Sequence, residues 1–237
     1  MSANPYTPSE LGVRPAPALV QQLLVGAFGW MFAGLLLSAG VAYLVGTNET
    51  LLLTVAQWWL PLLIGQFVLV MVISAAINKL SATAALGLFF LYAATMGLTI
   101  GVIVWSVLQQ EGGVGAVASA FFSAAAMFGA AAFYGAVTKR ELARMGGILF
   151  MALIGLIVAS VVNLFLNAGP LNWIISIAGV VIFTGLTAYD VQRISRGEYA
   201  AFTQSKEKAS VLAALHLYLN FINLFLFLLR IFGGSRN

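Results

Sequence analysis

Cysteine is absent from the 237-residue chain, and histidine occurs once. Without cysteine there is no disulfide, no thiolate metal site and no cysteine nucleophile. Charge is almost as scarce. Asp, Glu, Lys and Arg together make up 8% of the residues, where a soluble domain carries about 25%. A surface cannot be covered with solvated groups from so small a stock, so much of it must face lipid. The rest of the composition agrees: 62% of residues are hydrophobic and the mean hydropathy is +1.01. The 24 glycines suit helices that approach closely inside a bilayer.

The net charge of +4 does not indicate a nucleic-acid partner. The basic residues stand singly or in small groups between apolar runs, and no basic patch is interleaved with aromatics. Residues 1–18 are polar, contain Pro5, Pro8, Pro15 and Pro17, and read as a disordered cytoplasmic tail. The first apolar run starts too late, and is too long, for the hydrophobic region of a cleavable signal peptide. Apolar spans follow at 19–45, 51–77, 82–108, 114–137, 145–166, 171–189 and 211–231. Each reaches or approaches the ~20 residues that cross ~30 Å of hydrocarbon. Backbone groups in lipid must be satisfied within their own segment, and the runs lack the alternation of barrel strands, so they are helices. Pro61 is expected to kink the second span or end a turn before it. The predicted fold is all-α, an integral membrane bundle of seven transmembrane helices over 19–237, with no domain boundary.

Arg14, Lys79, Lys139, Arg140, Arg144, Arg193, Arg196, Lys206 and Lys208 fall on one side of such a bundle, and the opposite loops hold no Lys or Arg. Basic loops stay in the cytoplasm, so the N-terminus is expected there. A full seventh span puts Arg230 and Arg236 on the other side. A re-entrant last segment keeps them with the rest. The full span is the preferred reading. Trp30, Trp58, Trp59, Trp105 and Trp173 mostly fall near span ends, where interfacial anchoring accounts for them.

Six of the acidic residues lie in tails or loops, whereas Asp190, the sole aspartate, closes a hydrophobic span. It lies about 28 Å along the helix from Leu171, near the cytoplasmic boundary, or a turn inside it if the helix continues to Ile194. One reading is a solvated helix end with Arg193 close by. The other is an intramembrane carboxylate facing a polar cavity, whose ionisation governs a conducting path. In the last span, His216, Asn220 and Asn223 are spaced by four and three residues and share one face, which Arg230 extends. Facing lipid, each would be costly, so the face points into the bundle and this helix is expected at its centre. Interhelical hydrogen bonding alone is the plainer use of these groups. An Asp190–His216–Asn220 cluster is geometrically feasible, and Lys79 could reach it as a counter-ion along its flexible stem. No GxSxG, HExxH or phosphate loop is present, and one histidine does not make a zinc site. The chain is therefore expected not to be an enzyme and to need no cofactor.

The run Thr187-Ala188-Tyr189-Asp190-Val191-Gln192-Arg193-Ile194, then Ala214-Leu215-His216-Leu217-Tyr218-Leu219-Asn220-Phe221-Ile222-Asn223-Leu224-Phe225 and Leu228-Leu229-Arg230-Ile231-Phe232-Gly233, resembles the Bax-inhibitor (TMBIM) membrane family, bacterial branch. Val162-Asn163-Leu164-Phe165 and the hydropathy of the whole chain agree. The resemblance implies seven helices with the last in the centre. It also implies a pH-sensitive calcium leak in which two aspartates share protons at the cytoplasmic side of the pore. Asp190 matches the first of them, and Asn220 stands where the second belongs. Lys79 is the nearest match to an arginine that contacts the pair in some members, and His216 replaces a small polar residue. Two carboxylates raise each other's proton affinity by repulsion, and Asn220 cannot ionise, so Asp190 loses that repulsion. A lone carboxylate also makes Asp190 at most a weak calcium site, since that cation prefers several anionic oxygens. A second function implied by some relatives is a non-conducting protein that binds and modulates other membrane proteins, such as membrane-bound proteases.

The charge split sets a labelling test. Single cysteines replacing Ala3 and Ala143 are expected to react only from the cytoplasmic face, and one replacing Asn48 only from outside. The reverse pattern overturns the orientation.

Overall fold

A computed structural model describes residues 16–166 and 168–234. Among these, the chain forms nine helices and no strand: α1 (Pro17–Thr47), α2 (Glu49–Gln57), α3 (Trp59–Ala76), α4 (Ala82–Leu108), α5 (Gly113–Val137), α6 (Ala143–Leu166), α7 (Gly169–Ser195), α8 (Glu198–Thr203) and α9 (Lys206–Gly233). Seven of them are long and apolar enough to cross a bilayer. Most of the expected tail lies outside the described residues. Its last two positions, Pro17 and Ala18, already belong to α1, where proline fits because the first helical N–H has no acceptor to lose.

The second apolar run is divided. Asn48 caps α2 by accepting the Leu51 N–H at 2.9 Å, and Trp58 separates α2 from α3. Pro61 lies in the first turn of α3. An unbroken helix would drive its ring into the Gln57 carbonyl, so a new helix starts just before it. The last segment is one continuous helix of 28 residues, about 42 Å long, long and apolar enough to span fully.

Internal contacts divide the chain into two units, 1–110 with 193–218 and 111–192 with 219–237, although the sequence shows no boundary. The chain passes between them at 110–111, within α7 and within α9. In the first unit α4 lies on α1 through Gly97 and Gly101, four residues apart on one face. A Cβ on Gly97 would come within 2.7 Å of the Ser38 carbonyl oxygen, and one on Gly101 within 2.7 Å of the Val45 Cβ. One turn away, the Ser38 hydroxyl lies 2.7 Å from the Ala93 carbonyl, 2.9 Å from the Gly34 carbonyl and 2.6 Å from the Tyr218 hydroxyl. Its single proton goes to a carbonyl, so Tyr218 is the donor in the hydroxyl pair. Gln66 of α3 donates to the Thr95 carbonyl and the Thr99 hydroxyl of α4 at 2.9 and 2.8 Å. Such satisfied polar pairs are what lipid-surrounded helices use in place of hydrophobic association.

Burial separates the spans. The most apolar window of α9 is 72% buried, while those of the other six range from 11 to 44%. That agrees with a central last helix. The exposed apolar side chains of α3 and α6, among them Phe67, Met71, Ile148 and Met151, form the surface that lipid solvates.

The glycine contact gives a stability test on a single helix. Gly97→Ala is expected to cost about 1–3 kcal/mol, because the new methyl meets backbone that cannot turn aside. Gly87→Ala, with open space around it, is expected to be neutral or slightly stabilising. Thermal midpoints of the purified variants in detergent check both; equal midpoints would show that α1 and α4 do not meet at Gly97.

Candidate functional site

In the second unit, α7 ends in four residues that are each held by a different neighbour. Gly135 of α5 lies against the Ala188 carbonyl so closely that a Cβ there would overlap it. Gly146 of α6 accommodates the Tyr189 ring in the same way. Asn220 of α9 donates its carboxamide N–H to Oδ2 of Asp190 at 2.8 Å. Gln192 reaches the 138–142 connection, where its Oε1 accepts the Leu142 N–H at 2.9 Å and its Nε2 donates to the Arg140 carbonyl at 2.8 Å. The two glycines let α5 and α6 approach α7, and the two side-chain amides complete the fixation.

Asp190 is 6% exposed and Asn220 4%. α7 continues past Asp190 to Ser195, so the carboxylate lies about 7 Å inside the helix end and is not a solvated cap. Asn220 is near the midpoint of α9. Of the Asp190–His216–Asn220 cluster, the structure forms the Asp190–Asn220 contact, with the amide as donor and the carboxylate as acceptor. The amide also has a carbonyl oxygen, so after a flip it can accept from a protonated Asp190. The pair can thus be satisfied in either protonation state without a second carboxylate.

His216 is engaged in the first unit. Its Nδ1 lies 2.7 Å from the hydroxyl of Tyr199, and the two rings meet edge to face at 5.5 Å. Tyr199 also carries the Arg193 guanidinium 4.5 Å above its ring, and Arg193 pairs with Glu198 at 3.0 Å. Tyr199 was not expected from the sequence. It sits on α8, a single short helix between Gly197 and Gln204, both left-handed, within a charged stretch that reads as a loop. The one available signal is Tyr199, Ala200 and Thr203 at helical spacing, all buried. Neutral His216 can accept from the Tyr199 hydroxyl; protonated His216 must donate to it.

Asn223 is half-buried and donates to the Leu219 carbonyl of its own helix at 2.8 Å. With Arg230 it lines a cavity of about 410 Å³ in the second unit. Arg230 is exposed, with its guanidinium 5.7 Å from the Phe227 ring centre. Lys79 is exposed in the turn after α3; the same turn is held instead by Lys208, whose Nζ donates to the Asn78 carbonyl at 3.2 Å. Among the described residues no three His, Asp or Glu side chains converge in a group that could hold a metal ion.

Seven apolar spans and a buried carboxylate–amide pair between the end of α7 and the middle of α9 define a polytopic helical membrane protein with an intramembrane polar site. The comparisons give its family. Residues 20–237 match the family described as inhibitor of apoptosis-promoting Bax1, and the chain belongs to that Bax-inhibitor family. It is 44% identical over 230 residues to the inner membrane protein YbhL of Escherichia coli, covering 94% of this chain and 96% of that protein. An uncharacterized protein of Borreliella burgdorferi is 42% identical over 221 residues, 91% of this chain and 93% of its own. An uncharacterized membrane protein of Streptococcus pyogenes is 37% identical over 235 residues, 97% of each.

The carboxylate–amide pair can be tested through stability. Asn220→Leu removes a donor from a buried carboxylate and is expected to cost about 1–3 kcal/mol. Leu224→Ile, an apolar exchange of equal volume on the same helix, is expected to cost less than about 1.5 kcal/mol. Similar losses of thermal midpoint in the two variants would show that the pair contributes nothing.

Proposed function

We propose that the protein is a pH-sensitive cation leak pathway of the bacterial inner membrane, with its N-terminus in the cytoplasm, calcium as the candidate ion and Asp190 as the gating carboxylate. The observation that carries this reading is the buried Asp190–Asn220 hydrogen bond. An ionisable group inside a membrane bundle is costly and is kept where charge has a use. Ionised, Asp190 lowers the cost of bringing a cation to that depth. Protonated, it withdraws that charge, and the Asn220 amide must turn to remain bonded. Asp190 alone offers a weak calcium site, so a passing ion is held briefly, as conduction requires. His216, hydrogen-bonded to Tyr199, is a titratable group of α9. Asn223 and Arg230 extend the polar face. No bond is made or broken in this activity, so we do not propose an enzyme.

Asn220 in place of a second carboxylate also favours another reading, a non-conducting protein that binds other membrane proteins such as proteases. Flux separates the two. Calcium entry into vesicles containing only the purified protein is measured across roughly pH 5 to 8, where histidine changes charge. The parent is expected to conduct with the pH response of one carboxylate proton, its midpoint at lower pH than that of Asn220→Asp, because the restored carboxylate raises proton affinity by repulsion. Asp190→Asn is expected to abolish the carboxylate-dependent part, leaving only what His216→Ala removes. An Asp190→Asn protein that conducts and titrates like the parent refutes the gating role. Absence of flux in every variant at every pH favours the interaction protein.

A further inference from the structure

The cavity of about 410 Å³ in the second unit lies away from the Asp190–Asn220 bond and has a graded lining. Three helices reach the same face of the bilayer there: α6 ends at Leu166, α7 begins at Gly169 and α9 ends at Gly233. Asn163, Asn172 and Arg230 each stand three positions inside those ends, so all three lie about 4.5 Å below the helix termini. All three line the cavity. Asn163 donates to the Asn172 Oδ1 at 2.7 Å, and its own Oδ1 accepts the Ala168 N–H at 3.2 Å. The amide pair is thereby fixed across the α6–α7 connection beside the guanidinium. Below this polar rim the walls are mostly hydrocarbon, interrupted by Ser160 and by Asn223, which bonds to its own backbone, with Leu153, Leu156 and Phe183 at the inner end. Leu153 and Phe183 are about 20 Å from the same helix ends.

The Arg230 side chain has no carboxylate partner among the described residues, where its one contact of this kind is with the Phe227 ring. An arginine at a helix end can serve any passing lipid phosphate by snorkelling. Here the guanidinium stands instead at the mouth of a preformed cleft of the size that holds a small ligand, with rigid amide groups beside it and an apolar floor near mid-bilayer. Positive rim, polar collar and apolar depth complement an amphiphile with an anionic head and a hydrocarbon tail. Guanidinium matches a phosphodiester well, because two parallel N–H groups can meet two oxygens.

We propose that this cavity is a specific site for one anionic phospholipid, whose phosphodiester is held by Arg230 and the Asn163–Asn172 pair and whose acyl chain enters between α6, α7 and α9. Basic clefts between membrane helices bind anionic headgroups in this way. The site does not depend on the leak reading, since neither the lipid nor its contacts involve Asp190.

The experiment is native mass spectrometry of the full chain, released from detergent micelles after titration with phosphatidylglycerol or phosphatidylcholine of equal chain length. The parent is expected to retain one phosphatidylglycerol at concentrations where it retains no phosphatidylcholine. Arg230→Gln is expected to weaken that retention at least about tenfold, the loss of a charge-assisted hydrogen bond. Arg230→Lys keeps the charge and is expected to weaken it less. Ser160→Leu, which fills the cavity from its wall without touching the rim charge, is also expected to reduce it. Thermal midpoints in phosphatidylcholine discs show whether each variant is folded. Glycerol phosphate and laurate serve as competitors. Displacement by glycerol phosphate alone would mark a free-phosphate site, and displacement by laurate at a concentration equal to that of phosphatidylglycerol a site with no preference for a phosphodiester; either overturns the phospholipid assignment. Equal retention of the two phospholipids by the parent, or undiminished retention by folded Arg230→Gln, overturns it as well.

Discussion

A carboxylate inside a membrane bundle needs a hydrogen-bond donor, and the 2.8 Å bond from Asn220 to Asp190 supplies it. That requirement orders much of the second unit. The bond forms only if α9 comes alongside the end of α7 at its own midpoint, and α7 keeps its place only if α5 and α6 come close. Gly135 and Gly146 remove the side chains that would prevent that approach, to Ala188 and Tyr189 respectively. Gln192 then ties the 138–142 connection to the same helix end. Four positions within five residues of α7 are thus engaged by different partners, and the carboxylate is the costliest to leave unsatisfied.

The spans were legible because lipid imposes one solution on each long apolar run. The run at 82–108 coincides with α4, and most other ends shift by only a few residues. The break at Trp58 was half-legible: Pro61 announces that the second run cannot continue as one helix, but proline does not say which residue becomes the joint. The joint falls at Trp58, which leaves the ring in the first turn of α3. The Asp190–Asn220 pair was legible from rarity, since a lone aspartate and clustered amides stand out in a sequence with 8% charge. Tyr199 and Gln192 were not. Both are ordinary residues in a polar stretch, and their roles depend on α8 folding back and on a loop from distant sequence arriving at α7, neither of which periodicity records. The proposed lipid cavity was invisible for the same reason, because Asn163 and Arg230 look like unrelated helix-end residues until three helices bring them to one depth.

Replacing a carboxylate by Asn220 changes the physics of the pair without dismantling it. Two adjacent acids hold one proton between them because both cannot ionise cheaply. An acid and an amide have no such conflict, since the amide can donate to the ionised form or accept from the neutral one. An acid–amide pair can therefore keep a hydrogen bond in both protonation states, while it lacks the like-charge repulsion that couples two titrations. A structural role for the pair and a gating role for it are accordingly separable properties, the first depending on hydrogen-bond complementarity and the second on charge.

The polar face of α9 consequently serves several uses rather than one. His216 is joined to Tyr199, Asn220 to Asp190, and Asn223 to its own backbone. Arg230 stands furthest along the helix, about 15 Å beyond Asn220 by rise. At that separation two unit charges attract by only about 1 kcal/mol with an effective dielectric constant near 20. Asp190 is thus too distant to neutralise Arg230, and Arg230 too distant to replace the Asn220 donor. Each needs a partner at its own level of the bilayer. Asp190 has an amide among its partners in the protein. For Arg230, at the membrane face and above a hydrocarbon-lined cavity, the most abundant anions at that depth are lipid phosphates, and the rim amides are already arranged around the space such a headgroup would fill.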